Sequence, residues 1–136
     1  MPTGKLLPVS GYDPNKQKIK VSDEDFYPWL VELTGNRQKY QGWRIQISGW
    51  ILTDETMEQG DFLLARHLVS CCLADSLPAT IPASSDLPLP KNGNWVRLEA
   101  VLEESSYRGY PCPLLRVLQM EEIAPIEEPY IYTYDY

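Results

Sequence analysis

The chain has 136 residues, of which 43% are hydrophobic and 11% aromatic, and its formal net charge at pH 7 is −7. This length fits one domain, and the apolar content is sufficient for one hydrophobic core, which excludes an intrinsically disordered chain. Non-specific nucleic-acid binding draws its affinity from lysine and arginine contacts to phosphates, so the excess of acidic residues counts against it. No run of about 18 apolar residues is present, so the sequence predicts no membrane span.

The first 21 residues are predicted to form a lead-in arm that ends in a short strand at residues 18–21. Polar and acidic residues at 22–25 can cap a helix, and apolar residues follow them at helical spacing. Gly35 can end this helix, because glycine is common at helix C-termini. The sequence therefore predicts one short helix over residues 24–34.

The remainder of the chain is predicted to be β structure. Apolar and polar residues alternate from residue 43 to 51, the period of a half-buried strand, and Gly49 within it suggests a bulge or a sharp bend. Prolines interrupt the middle of the chain and leave room for only one short strand there, at residues 79–81. The other predicted strands lie at residues 62–72, 95–102 and 112–120.

Five such strands are too few for a typical two-sheet sandwich, whereas the bends suit a small closed arrangement. We therefore predict a mostly-β fold, a small OB-like five-stranded Greek-key barrel with one short N-terminal helix. The predicted domain organisation is a lead-in arm at 1–21, the OB-like domain at 22–124 and an extended tail rich in tyrosine and proline at 125–136.

Chemically reactive residues concentrate in the strand-like run 65–75, which holds the only histidine and two adjacent cysteines. Side chains alternate along a strand, so His67 and Cys71 share one face, about 13 Å apart at roughly 3.3 Å per residue. Zinc ligands lie about 2.0–2.3 Å from the metal, so a straight strand cannot place both residues on one ion. We expect His67 to be a hydrogen-bonded structural residue.

The turn that follows this strand is the better candidate for a site. One helical turn beginning at Cys71 would bring Asp75 close to Cys71 or Cys72 and would lower a thiol pKa. The candidate binding residues are therefore Arg66, Cys71, Cys72 and Asp75, and the last three are candidate ligands for zinc. The alternative remains open that one cysteine is a small core residue, that Asp75 is a turn residue and that Arg66 is buried or at a rim beside a carboxylate.

Standard enzyme signatures are absent, among them phosphate-binding glycine loops, GxSxG and HExxH, so we expect no enzymatic activity and no cofactor beyond that zinc ion. Cys112, framed by two prolines, could add a third thiol to the set, although no spacing demands it. Two other functions remain open. The tryptophans and tyrosines could stack single-stranded nucleic acid or hold a small ligand in an OB-type module, and the vicinal cysteines could carry out thiol redox chemistry.

The run from Phe62 to Arg66 and the signature Ser70-Cys71-Cys72-Leu73-Ala74-Asp75 resemble the C-terminal soluble domain of the YcgQ-like family, bacterial membrane proteins typically encoded beside a predicted permease. Further matches follow in the same order at Tyr12-Asp13-Pro14, Phe26-Tyr27-Pro28-Trp29-Leu30, Tyr40-Gln41-Gly42, Gly93-Asn94-Trp95-Val96 and Pro129-Tyr130-Ile131-Tyr132.

This resemblance implies an OB-like domain that follows transmembrane helices, faces outside the cytoplasm and acts as the partner subunit of a permease, with a metal ion as one expected cargo. We expect no nucleic-acid partner. The extracytoplasmic, membrane-anchored location applies to a longer protein, and a chain complete as printed would be expected in the cytoplasm.

Overall fold

A computed structural model describes residues 11–22, 26–69, 77–107, 109–125 and 130–132. This part of the chain contains eight strands and one helix. The first two strands are short, and the helix follows them: β1 (Tyr12–Asp13), β2 (Lys18–Lys20) and α1 (Phe26–Gly35). Five longer strands and a short last strand complete the fold: β3 (Arg44–Leu52), β4 (Asp61–Val69), β5 (Leu77–Ser84), β6 (Trp95–Tyr107), β7 (Tyr110–Glu122) and β8 (Tyr130–Tyr132).

The five longer strands pair in a closed ring in the order β3, β6, β7, β5, β4 and back to β3. All neighbours in the ring are antiparallel except β5 and β7, which run parallel. β2 and β1 extend the sheet beside β3, and β8 pairs with β4 in parallel. The prediction of a mostly-β, OB-like arrangement with five ring strands and one N-terminal helix is confirmed.

The core lies inside this ring, because strand alternation turns one apolar face of each strand inward. α1 packs its own apolar stripe onto the same core. Burial of one large apolar side chain stabilises the fold by about 1.5–3 kcal/mol. The completely or almost completely buried residues include Ile45 and Ile51 of β3, Leu98 and Leu102 of β6, Leu115 of β7, and Phe26, Trp29 and Leu33 of α1.

α1 agrees with the predicted helix to within two residues, while all of the predicted cap at 22–25 except Ser22 lies outside the described residues. Pro28 is its third residue, where a backbone N–H has no acceptor within the helix, so the proline costs no helical hydrogen bond. α1 is ten residues long. The described part of the chain has no helix with the length and apolar character of a membrane span.

Gly49 does not form a bulge, because β3 and β6 stay in register through the pair of Gly49 with Val96. A Cβ atom at this position would lie 2.7 Å from the carbonyl oxygen of Ala65 in β4. Glycine therefore allows the close approach of β3 to β4 at the point where the ring closes. The bulge lies elsewhere, between Glu99 and Ala100 of β6, and Leu118 of β7 is the extra residue there.

β5 spans eight residues, although its prolines led to a prediction of residues 79–81 only. Beyond the end of β5, the Ser85 N–H donates to the carbonyl of Gly60 beside β4, at 2.9 Å. Backbone N–H groups point to alternate sides along a strand, so those of odd-numbered residues in β5 point toward β4. The backbone at Pro78 and Pro82 points away from β4. The two prolines therefore remove no hydrogen bond from the β4–β5 ladder, and the strand continues through them.

Candidate functional site

The structure describes only one of the four predicted binding residues. Cys71, Cys72 and Asp75 lie outside the described residues, so the zinc site built on them stays a prediction. β4 is described as far as Val69, and the predicted continuation of this strand to residue 72 lies outside the described residues. Across the described ranges, no three histidine, cysteine or acidic side chains are grouped so that they could hold a metal ion.

Arg66 lies in the core and is completely buried. Its guanidinium carbon lies 5.4 Å from the ring centroid of Phe26 in α1 and 5.2 Å from that of Trp95 in β6. Both distances are within the range of a favourable cation–π contact, which strengthens when the charge is desolvated. In the described structure, Arg66 therefore holds α1 and the start of β6 against β4 and is not accessible to a ligand.

His67, the next residue of β4, lies half-buried on the outer face of the ring. Its ring centroid is 5.3 Å from that of Trp50 in β3, with the two planes tilted by 38°. This contact packs the side chain against the neighbouring strand. That His67 is a hydrogen-bonded structural residue stays a prediction.

A groove of about 580 Å³ lies against the ring beside β5 and β7. We call it the β5–β7 groove; β4, β5, the β6–β7 hairpin and the turn between β3 and β4 contribute to its lining. Its apolar lining includes Phe62, Leu63 and Leu114, and its hydroxyl groups include Thr56, Ser84 and Ser105. Of the residues in this groove, only Cys112 was considered as a site residue from the sequence.

The groove lies where the β5–β7 ladder stops after two pairs, Ala83 with Leu115 and Ser84 with Arg116. A parallel ladder that continued toward the start of both strands would need N–H donors from residues 82, 111 and 113. All three residues are prolines, and proline has no backbone N–H. The prolines therefore determine where β5 and β7 separate, which leaves an opening at this end of the otherwise closed ring.

The two prolines of β7 face this opening because of the backbone directions in β6. The Leu102 N–H donates to the carbonyl of Trp43 at 2.9 Å, so even-numbered residues in this part of β6 face β3. The backbone N–H and C=O groups of Ser105 consequently point toward β7, and those of its partner Cys112 point toward β6. Their neighbours Pro111 and Pro113 must face β5, the opposite direction.

The groove carries an excess of negative charge. Glu58 and Asp61 lie in its lining, together with one basic residue, Arg116. Arg116 donates from Nε to the carboxylate of Glu103, and this hydrogen bond is the largest cause of a raised pKa at Arg116. Because Glu103 compensates the charge of Arg116, the two remaining carboxylates set the sign of the groove's potential.

Three other surface arginines are also paired with glutamates. Their charges are therefore partly neutralised within the protein, and they do not form an uncompensated basic surface of the kind that binds phosphates. Each pair is solvent-exposed and contributes at most about 1 kcal/mol to stability. The pairs are Arg37 with Glu104 at 3.2 Å, Arg44 with Glu99 at 3.0 Å and Arg97 with Glu121 at 3.4 Å.

Cys112 is a half-buried free thiol in this groove. Burial raises the pKa of the Cys112 thiol above its ordinary value, and the positive charge of Arg37 offsets part of this effect. In a Cys71→Ser/Cys72→Ser variant, which leaves Cys112 as the only thiol, we expect slow alkylation at neutral pH. The rate should rise with pH, with a midpoint above that of a free thiol, because only the thiolate reacts. Fast alkylation that is independent of pH near neutrality would contradict this assignment.

The chain was also compared with known proteins. The family model of the DUF1980 C-terminal domain matches residues 8–133, a range that includes every helix and strand described above. A comparison with curated proteins finds no match. Because the family model covers nearly the whole chain, the chain belongs to the DUF1980 C-terminal domain family.

Proposed function

We propose that this chain is a non-enzymatic binding domain that recognises its ligand in the β5–β7 groove and acts as an accessory subunit of a membrane permease. The observation that carries the proposal is the groove, whose apolar floor and few convergent polar groups are typical of binding sites. OB-folds bind ligands on the second and third strands, between the loops that here correspond to the β3–β4 turn and the β6–β7 hairpin. The groove lies at the corresponding position.

The permease partnership rests on the resemblance to the YcgQ-like family. In that family, a domain of this kind follows transmembrane helices and is encoded beside a permease. The same resemblance supports an extracytoplasmic domain tethered to the membrane as part of a longer protein.

A zinc site at Cys71, Cys72 and Asp75 is a separable part of the proposal, supported by the residue types and their spacing alone. We expect zinc to bind the reduced wild type more tightly than a Cys71→Ser/Cys72→Ser variant. Equal affinity for the two proteins would remove the metal from the proposal and leave the groove unaffected.

The two alternative functions have less support. Single-stranded nucleic acid would meet a chain of net charge −7 whose exposed arginines at 37, 44, 97 and 116 are paired with glutamates. Thiol redox chemistry favours a lowered pKa, whereas burial raises the pKa of Cys112. This second alternative therefore depends on Cys71 and Cys72.

Filling the groove tests the proposal. Ser84 lines the groove, and Ser48, also half-buried, lies on β3 outside the lining. We expect Ser84→Trp to reduce co-purification of the permease encoded beside this protein by roughly tenfold, equivalent to about 1.4 kcal/mol. The matched Ser48→Trp variant should leave this co-purification unchanged. Thermal melting of both variants checks that they are folded.

Two outcomes would contradict the proposal in different ways. If the wild type retains no permease, the partner assignment fails. If Ser84→Trp retains as much permease as Ser48→Trp, the groove is not the site of contact.

A further inference from the structure

We infer that the β5–β7 groove selects a positively charged, hydrogen-bond-donating side chain, an arginine presented by a segment of the partner polypeptide. This inference deepens the proposed function and rests on it, since it takes the groove as the binding site. Two features of the described residues support it: the charge of the lining, and the size and apolar floor of the groove.

The prolines beside the β5–β7 ladder disfavour strand addition as the mode of binding. A peptide that joins a sheet edge needs alternating donors and acceptors on that edge. Pro111 and Pro113 give this stretch of β7 no donors toward β5, and proline is a recognised means of blocking edge pairing. A side chain of the partner therefore fits the groove better than an additional strand does.

The charge of the lining favours a cation. Glu58 is exposed and Asp61 half-buried in the groove, while the charge of Arg116 is compensated mainly by Glu103 and in smaller part by Asp61. A guanidinium group combines a permanent charge with five N–H donors in a planar fork, so it complements carboxylates by charge and by hydrogen bonding.

The size and the floor of the groove favour a side chain on a polypeptide over an isolated small cation. At about 580 Å³, the groove exceeds the volume of one guanidinium group and leaves room for neighbouring peptide atoms. Phe62, Leu63 and Leu114 offer apolar surface to the aliphatic part of an arginine side chain, which commonly packs in this way.

The experiment compares the blocked peptide acetyl-Gly-Gly-Arg-Gly-Gly-amide with a peptide in which neutral citrulline replaces arginine, both titrated calorimetrically into the whole chain. We expect the arginine peptide to bind at least roughly tenfold more tightly. Asp61→Asn combined with Glu58→Gln should remove this preference. Glu55→Gln, a change in the same turn outside the lining, should preserve it.

Each contrary result separates this inference from the proposed function. Equal affinity for both peptides, lost in Ser84→Trp, would overturn the inference and leave the groove as a binding site. A groove that binds spermidine but not the arginine peptide would overturn the polypeptide as the occupant. If neither peptide binds, yet Ser84→Trp still loses the permease, the inference fails and the proposed function stands. Thermal melting of the double variant shows whether it is folded.

Discussion

Replacing Arg66 with alanine is expected to lower the free energy of unfolding by about 2–5 kcal/mol, an effect as large as that of truncating a buried apolar side chain. The side chain is completely buried between the rings of Phe26 and Trp95. Its removal leaves a cavity and ends two cation–π contacts that join α1 and β6 to β4. Urea unfolding, followed by tryptophan fluorescence and by circular dichroism, measures the loss.

Two further variants make this prediction decisive. Arg97→Ala removes an exposed arginine whose ion pair is worth at most about 1 kcal/mol, and it serves as the matched control. Arg66→Lys keeps the charge but loses the planar group, so we expect an intermediate loss of stability that is measurable even if the alanine variant does not fold. The structural role of Arg66 is contradicted if Arg66→Ala costs no more than Arg97→Ala.

Replacing both Pro82 and Pro113 with alanine is expected to lengthen the β5–β7 ladder and to close the groove to its ligand. The new N–H of residue 113 can donate to the carbonyl of Thr80, and that of residue 82 to the carbonyl of residue 113. We expect both new amides to be protected from hydrogen exchange and the affinity for the arginine peptide to fall by roughly tenfold.

Stability alone would not reveal this change. Each new hydrogen bond contributes about 0.5–1.5 kcal/mol, while the loss of each proline costs about 0.4–1 kcal/mol through the entropy of the unfolded chain. Pro88→Ala, in an exposed loop outside the groove, is the control for that entropic cost. Rapid exchange at residues 82 and 113 with unchanged affinity would show that the prolines do not keep the ring open.

Most of the fold could be predicted from the sequence, because it depends on local patterns. Alternation from Trp43 to Ile51 located β3, and the strand predicted at residues 95–102 begins at the first residue of β6. The length of β5 could not be predicted from its composition. A proline interrupts a strand only where its missing N–H would point to a paired neighbour. For Pro78 and Pro82 this depends on which edge of β5 pairs with β4, and the composition of β5 does not reveal that.

The candidate site was less predictable, because it depends on contacts between distant segments. Arg66 stood out as a charged residue in an apolar run, but its burial results from rings on α1 and β6. The groove joins side chains such as Asp61, Ser84 and Leu114 from three different strands. The sequence does hold one signal for it: proline pairs spaced by two or four residues turn both missing donors to the same side of a strand.

The central claim, that the β5–β7 groove is the binding surface, is tested most directly by nuclear magnetic resonance. The arginine peptide is titrated into the uniformly ¹⁵N-labelled chain, and backbone amide shifts are followed residue by residue. We predict that the largest changes occur at Ser84, Ser105 and Leu114, which line the groove. Changes that concentrate instead around the exposed side chains of Leu87 and Leu118, outside that lining, would contradict the claim, as would the absence of any change.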